Sequence, residues 1–160
     1  MERVNQILEH ELFDKCYKKI EKWEKKREFC RHNMEHFMAV ARIAYIFNME
    51  ENLNIEKELI YAAALLHDIG RFKQYEDKTP HEKASLKYAP KILEDCGFSK
   101  EEIETISEVI GEHRNKAIAQ EQSFRGIFYR ADKASRPCFA CKSEAECKWK
   151  NEKKNLKIYI

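Results

Sequence analysis

The sequence has few of the residues that interrupt regular structure, because only four glycines and three prolines occur among its 160 residues. Sandwiches and barrels of β-strands need many tight turns, which these two residues usually provide, so their scarcity argues against an all-β fold. With 43% hydrophobic residues and 18 aromatic ones, the chain also differs from a disordered protein. We therefore expect an all-α fold, a compact bundle of about five to seven helices.

Long apolar runs and a strong charge of one sign are absent as well. No uncharged stretch reaches the roughly 18 residues of a membrane span, and the first residues lack the apolar run of a secretion signal. Thirty basic residues against 28 acidic ones leave a net charge of +2, which gives no general attraction to nucleic acid or anionic membranes. We expect a soluble, cytoplasmic protein with neither a membrane nor a nucleic acid as partner.

Apolar residues recur at helical spacing along most of the chain. The charged run over 21–28 is interpreted as a solvated helix face, and residues 71–80 as a polar loop. Gly70 is expected to end the helix before that loop, since glycine tolerates positive φ. Ser99 and Glu102 form a capping box, in which each side chain accepts a hydrogen bond from a free backbone amide. The predicted helices cover about 4–20, 34–47, 56–67, 81–96 with a fault at Pro90, 100–113 and 124–131.

The composition changes near Pro137, where helical periodicity stops and a tail rich in cysteine and lysine begins. We predict a helical domain over 1–135 and a short extension over 136–160. Two thiolates at C-x2-C spacing can share a soft metal, but a closed tetrahedral site needs a fourth ligand. The alternatives are reduced cysteines packed against the bundle and a redox disulfide. The tail cysteines are Cys138, Cys141 and Cys147, and the fourth ligand would be Cys16, Cys30, Cys96, a histidine or an outside group.

Four polar residues lie on or at the end of apolar helix faces. His67 and Asp68 follow the apolar run over 62–66, while His36 and Asp132 lie on the apolar faces of two other predicted helices. Burial of imidazoles and carboxylates is costly unless a partner satisfies them. A divalent cation is one such partner, since it binds neutral imidazole nitrogen and carboxylate oxygen. The pattern therefore predicts a metal site among the helices.

The residues around these four are more specific than the His–Asp pair itself. The string AAALLHDIGR over 62–71, with HFMAVA from His36 and ADK over 131–133, resembles the HD-domain superfamily of metal-dependent phosphohydrolases. The resemblance covers about residues 30–135. It implies an all-α fold and hydrolysis of a phosphomonoester or phosphodiester, commonly on a nucleotide. It also implies that a divalent metal (Mn, Fe, Co, Ni, Mg or Zn) is held by His36, His67, Asp68 and Asp132.

Two further histidines, His81 and His113, fit a variant of that family. Members with histidines at these two positions bind a second metal ion, and the aspartate of the His–Asp pair, here Asp68, bridges both ions. In members with one ion, the same residues contact the substrate phosphate instead. The resemblance therefore implies either one ion or two. The third alternative is that His81 and His113 are ordinary surface histidines.

Other residues are predicted to act on the substrate. Asp68 is expected to accept a proton from the attacking water as well as to bind metal. Arg71 directly follows Gly70 and is therefore expected near the metal, where it would bind phosphate. Groups with a predicted role in substrate binding are His32, Lys73, Arg114 and Lys133.

The predicted function is a divalent-metal-dependent phosphohydrolase that cleaves a phosphoester of a small metabolite, with a nucleotide favoured, by metal-activated water. A catalytically weak metal- or nucleotide-binding module that regulates a partner is the alternative. A di-iron oxygenase on the same fold is a third function, and it would need both His81 and His113 as ligands. The sequence does not indicate which phosphoester is cleaved. The amphipathic N-terminal helix suggests a homodimer.

Overall fold

Nine α-helices build the part of the chain that the computed structural model describes, residues 1–158, and no strand occurs within those residues. Short 3-10 helices lie at Lys116–Gln120, Cys138–Ala140 and Asn151–Lys153. The all-α bundle is confirmed, with seven helices of at least seven residues and two shorter ones, α5 and α6. The helices are α1 (Glu2–Glu9), α2 (Glu11–Glu24), α3 (Met34–Glu50), α4 (Lys57–Leu66), α5 (Arg71–Glu76), α6 (His81–Ser85), α7 (Ala89–Asp95), α8 (Lys100–Glu112) and α9 (Phe124–Ala134).

The centre of the bundle is helix α3, which packs against both α4 and α9. Helix α4 is buried on nearly all sides, as its run of alanines and leucines predicts, with α1 and α8 covering it. Fully buried aromatic rings fill the space between these helices, among them Phe37 of α3 and Phe128 of α9. The two rings pack edge-on against the His67 ring, with centroids 5.6 and 5.5 Å from it, so the apolar core directly supports that side chain.

The predicted first helix is in fact two helices, α1 and α2, which meet at His10. The His10 backbone is extended, and its side chain accepts a hydrogen bond from the Leu12 amide at 3.1 Å, so His10 caps α2. The interpretation of residues 21–28 as a solvated face is wrong for Glu24, which is only 3% exposed. Glu24 is the last residue of α2 and points into the protein, where His32 and Tyr75 bind it.

The polar loop predicted over 71–80 is wrong for its first half, which forms helix α5. Gly70 does not end α4 through a positive φ, because its φ is −87°. The lack of a side chain matters for a different reason: a Cβ at Gly70 would lie 2.3 Å from the Ser85 backbone nitrogen. Gly70 therefore allows α6 to approach the turn that follows α4.

The segment predicted as one faulted helix over 81–96 is two helices, α6 and α7, separated by residues 86–88. Pro90 lies in the first turn of α7, where its missing amide hydrogen costs no helical hydrogen bond. The capping box is confirmed at the start of α8. The Ser99 amide donates to Glu102 Oε2 at 2.7 Å, and the Glu102 amide donates to Ser99 Oγ at 3.3 Å.

The tail after α9 folds back against the helices. The Asn155 side-chain amide donates to the Lys133 carbonyl oxygen at 2.6 Å and to the Arg136 carbonyl oxygen at 3.0 Å. The Phe139 amide in turn donates to the Asn155 carbonyl oxygen at 2.9 Å. A domain boundary near residue 135 stays a prediction.

None of the helices within residues 1–158 combines the length and the hydropathy that a membrane crossing requires.

Candidate metal centre

Six buried side chains from five parts of the fold converge at one point, and each is at most 7% exposed. Two sets of three ligand atoms form, and within each set the atoms lie within 4.8 Å of one another. Sequence reasoning named all six residues, and the structure brings them together. The first set is His36, His67 and Asp132, and the second is Asp68, His81 and His113.

The His67–Asp68 turn is held in place by Ser85 of α6. The Ser85 hydroxyl donates to the His67 carbonyl oxygen at 2.7 Å and accepts from the Gly70 amide at 2.9 Å. The hydroxyl can reach both groups because Gly70 has no side chain between the turn and α6. This pair of hydrogen bonds across 15 and 18 residues fixes the backbone from which both site residues project.

Each of the four imidazoles in the centre is anchored through its Nδ1 atom. His67 donates to the Ala64 carbonyl oxygen at 2.8 Å, and His113 donates to the Ile110 carbonyl oxygen at 2.6 Å. The Nδ1 atom of His81 lies 2.7 Å from Gln74 Oε1 and 2.6 Å from Arg71 Nη1, and that of His36 lies 3.0 Å from Ser135 Oγ. For His67 and His113, the Nδ1–H that is donated to a carbonyl oxygen leaves the Nε2 lone pair facing inward, which is the tautomer that binds metals.

The two carboxylates lie among these inward-facing nitrogens, and Asp68 occupies the middle. Asp68 Oδ2 lies 3.1 Å from His67 Nε2 and 3.5 Å from His36 Nε2. Its other oxygen, Oδ1, lies 3.1 Å from His81 Nε2 and 3.8 Å from His113 Nε2. The Asp68 carboxylate therefore faces the histidines of both ligand sets. Its Oδ2 atom faces those of the first set, and its Oδ1 atom faces those of the second.

Two polar atoms in the centre are left without a hydrogen-bond partner among the described residues. They are His67 Nε2 and Asp68 Oδ1, and both are fully buried. An unsatisfied buried polar atom costs about 1–3 kcal/mol, and more for a charged group. Imidazole nitrogen is a ligand of transition-metal cations, and carboxylate oxygen is a ligand both of these and of Mg²⁺. The unpaired atoms therefore fit the divalent metal that the sequence predicts.

The ionisation of the site also suits a cation. Burial would raise the pKa of Asp68, but the neighbouring imidazoles, His67 foremost, outweigh it and hold the pKa well below the usual range. Burial would likewise raise the pKa of Asp132, but the charge of Lys133 is the main cause that holds it well below the usual range. Burial lowers the pKa of His81 to about 2 and that of His113 to about 4. Ionised carboxylates and neutral imidazoles are the forms that bind metal.

His67 departs from this pattern. Burial acts to lower its pKa, but the nearby charges of Asp68 and Asp132 outweigh burial, so the pKa is raised. The shift records an excess of negative charge at the position where His67 Nε2 and the two carboxylates meet. A bound cation would supply the positive charge that the imidazole otherwise provides.

A buried carboxylate, Glu24, orients the fifth histidine of the site. Glu24 accepts from the backbone amide of His32 at 2.6 Å, from His32 Nδ1 at 2.5 Å and from the Tyr75 hydroxyl at 2.6 Å. Despite burial, these donors lower the pKa of Glu24 to about 2. Burial lowers the pKa of His32 to about 4, so its ring is neutral and its Nε2 atom faces Asp68 Oδ2 at 3.8 Å.

A cavity of about 370 Å³ opens above the two carboxylates. Its wall includes Arg71, Arg114 and Lys133, as well as His32, which sequence reasoning named as candidate substrate-binding residues. Lys73 is not part of the wall, because it points away and pairs with Glu76 and Asp77 of its own helical turn. The arrangement gives no support to a role for Lys73 in substrate binding.

Arg136 is a site residue that sequence reasoning missed. It is buried, and its Nη2 atom donates to His36 Nε2 at 3.1 Å and lies 3.9 Å from Asp132 Oδ1. Its position four residues after Asp132 places it on the same helical face, and that spacing was the available signal. Glu24 gave no such signal, because its partners His32 and Tyr75 come from other elements.

The tail also reaches the cavity. Cys138, Cys141 and Cys147 line it together with Cys30, which belongs to the segment between α2 and α3. All the cysteines are free thiols. The predicted extension is therefore in contact with the site rather than separate from it.

Comparison with known proteins agrees with the geometry. The family model described as HD domain matches residues 33–137, about two thirds of the chain. A protein of Clostridium beijerinckii is 48% identical over 159 residues, which cover 99% of each chain, and its name, "Uncharacterized protein", states no activity. No solved structure matches the chain significantly.

Proposed function

The chain belongs to the HD-domain family of metal-dependent phosphohydrolases, and on that premise we propose that it cleaves a phosphoester of a small metabolite, with nucleotides the favoured class. The observation that carries the proposal is the set of four imidazoles, each held at Nδ1, around two ionised carboxylates. A structural role would need no such convergence of buried histidines on two carboxylates. The arrangement supports a catalytic metal centre.

Two ligand sets support two ions rather than one. His36, His67 and Asp132 would hold the first, while His81 and His113 would hold the second, with Asp68 shared between them. A divalent ion in such a site lowers the pKa of water and neutralises the charge of phosphate oxygens. The family resemblance implied this arrangement as one of two alternatives, and the opposite directions of the two Asp68 oxygens favour it.

The cationic side chains of the cavity would bind and orient the phosphate. Lys133 and Arg136 lie beside Asp132, and Arg71 lines the same cavity next to His81. Their charges can neutralise non-bridging phosphate oxygens. The buried Arg71 Nε atom has no hydrogen-bond partner among residues 1–158, so it is free to donate to a ligand. Arg114 is half exposed and lies nearer the solvent, where it would contact the part of the substrate that leaves.

Proton transfer is assigned to groups that face the cavity floor. Asp68 is ionised and would accept the proton that the attacking water releases. His32 is neutral, and its Nε2 atom is oriented by Glu24, so it can accept a hydrogen bond from the substrate or from water. A cavity of about 370 Å³ falls in the range of small-molecule sites, which supports a metabolite-sized substrate.

The test is a metal-dependent turnover assay. The protein is stripped with a chelator, reloaded with Mn, Ni, Fe, Co, Mg or Zn, and assayed on a chromogenic phosphoester and a panel of nucleotides. We expect turnover that requires metal and that falls at least a hundredfold in Asp68→Ala and His67→Ala. Lys133→Ala should raise KM, whereas the matched variant Lys73→Ala should behave like the parent because Lys73 lies outside the cavity.

Three other results would contradict the proposal. Unchanged turnover and metal content in Asp68→Ala would show that the centre is not the active site. Metal binding without hydrolysis of any phosphoester would favour a regulatory binding module. Iron in the purified protein together with oxygen consumption on an organic substrate would favour a di-iron oxygenase.

A further inference from the structure

The structure brings a fourth cysteine to the C-x2-C-x5-C tail. Cys30 precedes the first tail cysteine by more than a hundred residues, yet it lines the same cavity as Cys138, Cys141 and Cys147. The two other cysteines, Cys16 and Cys96, are 3% exposed and belong to the hydrophobic core. Of the cysteines that sequence reasoning left open as the fourth ligand, only Cys30 is therefore available to the tail.

Two contacts hold the Cys30 segment against the tail. The Arg136 guanidinium donates to the Arg31 carbonyl oxygen at 3.1 Å, and the Ser143 hydroxyl donates to the Glu28 carbonyl oxygen at 3.3 Å. The tail itself turns tightly between its cysteines. The Cys141 amide donates to the Cys138 carbonyl oxygen at 3.2 Å, as in the turns that present two thiolates to one metal.

The tail has no hydrophobic core to hold this shape. Phe139 is 52% exposed, Trp149 39% and Leu156 42%, and Cys138 is the one buried apolar residue of the described tail. Segments this small are usually stabilised by disulfides or by a structural metal. All the cysteines are free thiols, so the structure offers no disulfide for this purpose.

The charges around the thiols are suited to a cation with several thiolate ligands. Burial raises the pKa of Cys30, and the nearby Cys138 and Cys141 raise it further because neighbouring thiolates repel one another. A bound cation removes that repulsion. Arg136 acts in the same direction as a cation and lowers the pKa of Cys30, and Arg27 and Lys154 line the same cavity.

We propose that Cys30, Cys138, Cys141 and Cys147 bind one zinc ion, which fastens the tail to the segment before α3. Four thiolates are the ligand set of a closed structural zinc site. Among residues 1–158 the ligand groups already within 4.8 Å of one another are the two histidine–carboxylate sets. No three of the four sulfur atoms lie within 4.8 Å of one another, so zinc binding would have to draw them closer together. The ion would hold the tail as the outer wall of the cavity, and this proposal does not depend on the reaction assigned to the histidine site.

The first experiment measures zinc in a background without the histidine site. The His67→Ala/Asp68→Ala protein is purified under reducing conditions, and its metals are counted by mass spectrometry. We expect one zinc per chain in this background and none after the further change Cys141→Ala. The matched control Cys96→Ala, which removes a core thiol, should keep its zinc.

A second measurement uses the parent protein and does not depend on a variant that folds. Titration with a mercurial reagent should release one zinc as the tail thiols react, and protease should then cut within 148–154 faster than before. Cobalt substituted for zinc should show the absorption of tetrahedral thiolate coordination. Equal zinc in Cys141→Ala and Cys96→Ala would overturn the proposal, and so would iron with inorganic sulfide or a disulfide among these cysteines.

Discussion

Replacing Ser85 with alanine should loosen the turn that carries His67 and Asp68. The Ser85 hydroxyl is fully buried and is the link between α6 and this turn, through the His67 carbonyl oxygen and the Gly70 amide. Alanine keeps the helix and removes both hydrogen bonds. Two buried backbone groups then lose this partner, and no water replaces the hydroxyl in a closely packed interior.

The size of the effect follows from those two groups. Each buried group left without a partner costs about 1–3 kcal/mol, so we expect about 3 kcal/mol for the pair. In a chain of this length one kcal/mol moves the melting temperature by about 2–4 °C, which gives a decrease of about 6–12 °C. Metal affinity should fall as well, because the His67 and Asp68 side chains are no longer held in register.

The matched control is Ser107→Ala in α8. The Ser107 hydroxyl is buried without a hydrogen-bond partner among the described residues, so its removal breaks no hydrogen bond and should leave stability unchanged or raise it. Thermal melts by circular dichroism and metal titration by calorimetry measure both variants. If Ser85→Ala and Ser107→Ala melt within about 2 °C of each other, or if Ser85→Ala binds metal as the parent does, the account of this turn is wrong.

Three further predictions follow from the groups around the centre. Glu24→Gln should lower turnover about tenfold, because His32 loses the carboxylate that orients it, and a parent-like rate in steady-state assays would contradict that role. Arg136→Gln should raise KM for a phosphorylated substrate more than it lowers kcat, as measured in the same assay, since it removes a buried cation beside Asp132. The chelated protein should lose stability as pH falls from about 6.5 towards 4, which thermal melts across that range measure. Three buried histidines have lowered pKa values in the folded protein, and one has a raised value. Between about pH 6.5 and 4 the unfolded chain therefore binds more protons than the folded protein, which destabilises the fold as the pH falls. Melting temperatures that do not change with pH would contradict this sign.

The sequence allowed much of the centre to be predicted because its ligands lie at the ends of apolar helices. His67 and Asp68 follow an apolar run, and Asp132 ends another apolar face, so periodicity alone placed them inside the bundle. The capping box before α8 is local in the same sense, since Ser99 and Glu102 are three residues apart. Features that depend on residues within one or two helical turns of each other could therefore be predicted from the sequence.

What could not be predicted depends on contacts between distant elements. Glu24 lies in a charged run and gives every local sign of a solvated residue, and its burial follows from Tyr75, which is 51 residues away. Gly70 is required by the approach of α6 rather than by its own backbone angles. Cys30 has no local signal at all, because the tail cysteines that line the same cavity come more than a hundred residues later.

The position of the site residues along the chain has a consequence for biosynthesis. Glu24, the first residue that supports the centre, and Arg136, the last, are 112 positions apart, as their residue numbers show. At roughly 5–20 residues per second, a ribosome needs roughly 6–22 s to make the intervening segment. Until Arg136 has been made, the nascent polypeptide carries histidines that are not yet enclosed, so binding of an ion by the complete centre would have to follow synthesis of that residue. A product truncated before α9 would lack both Asp132 and Arg136 and could not form the complete centre.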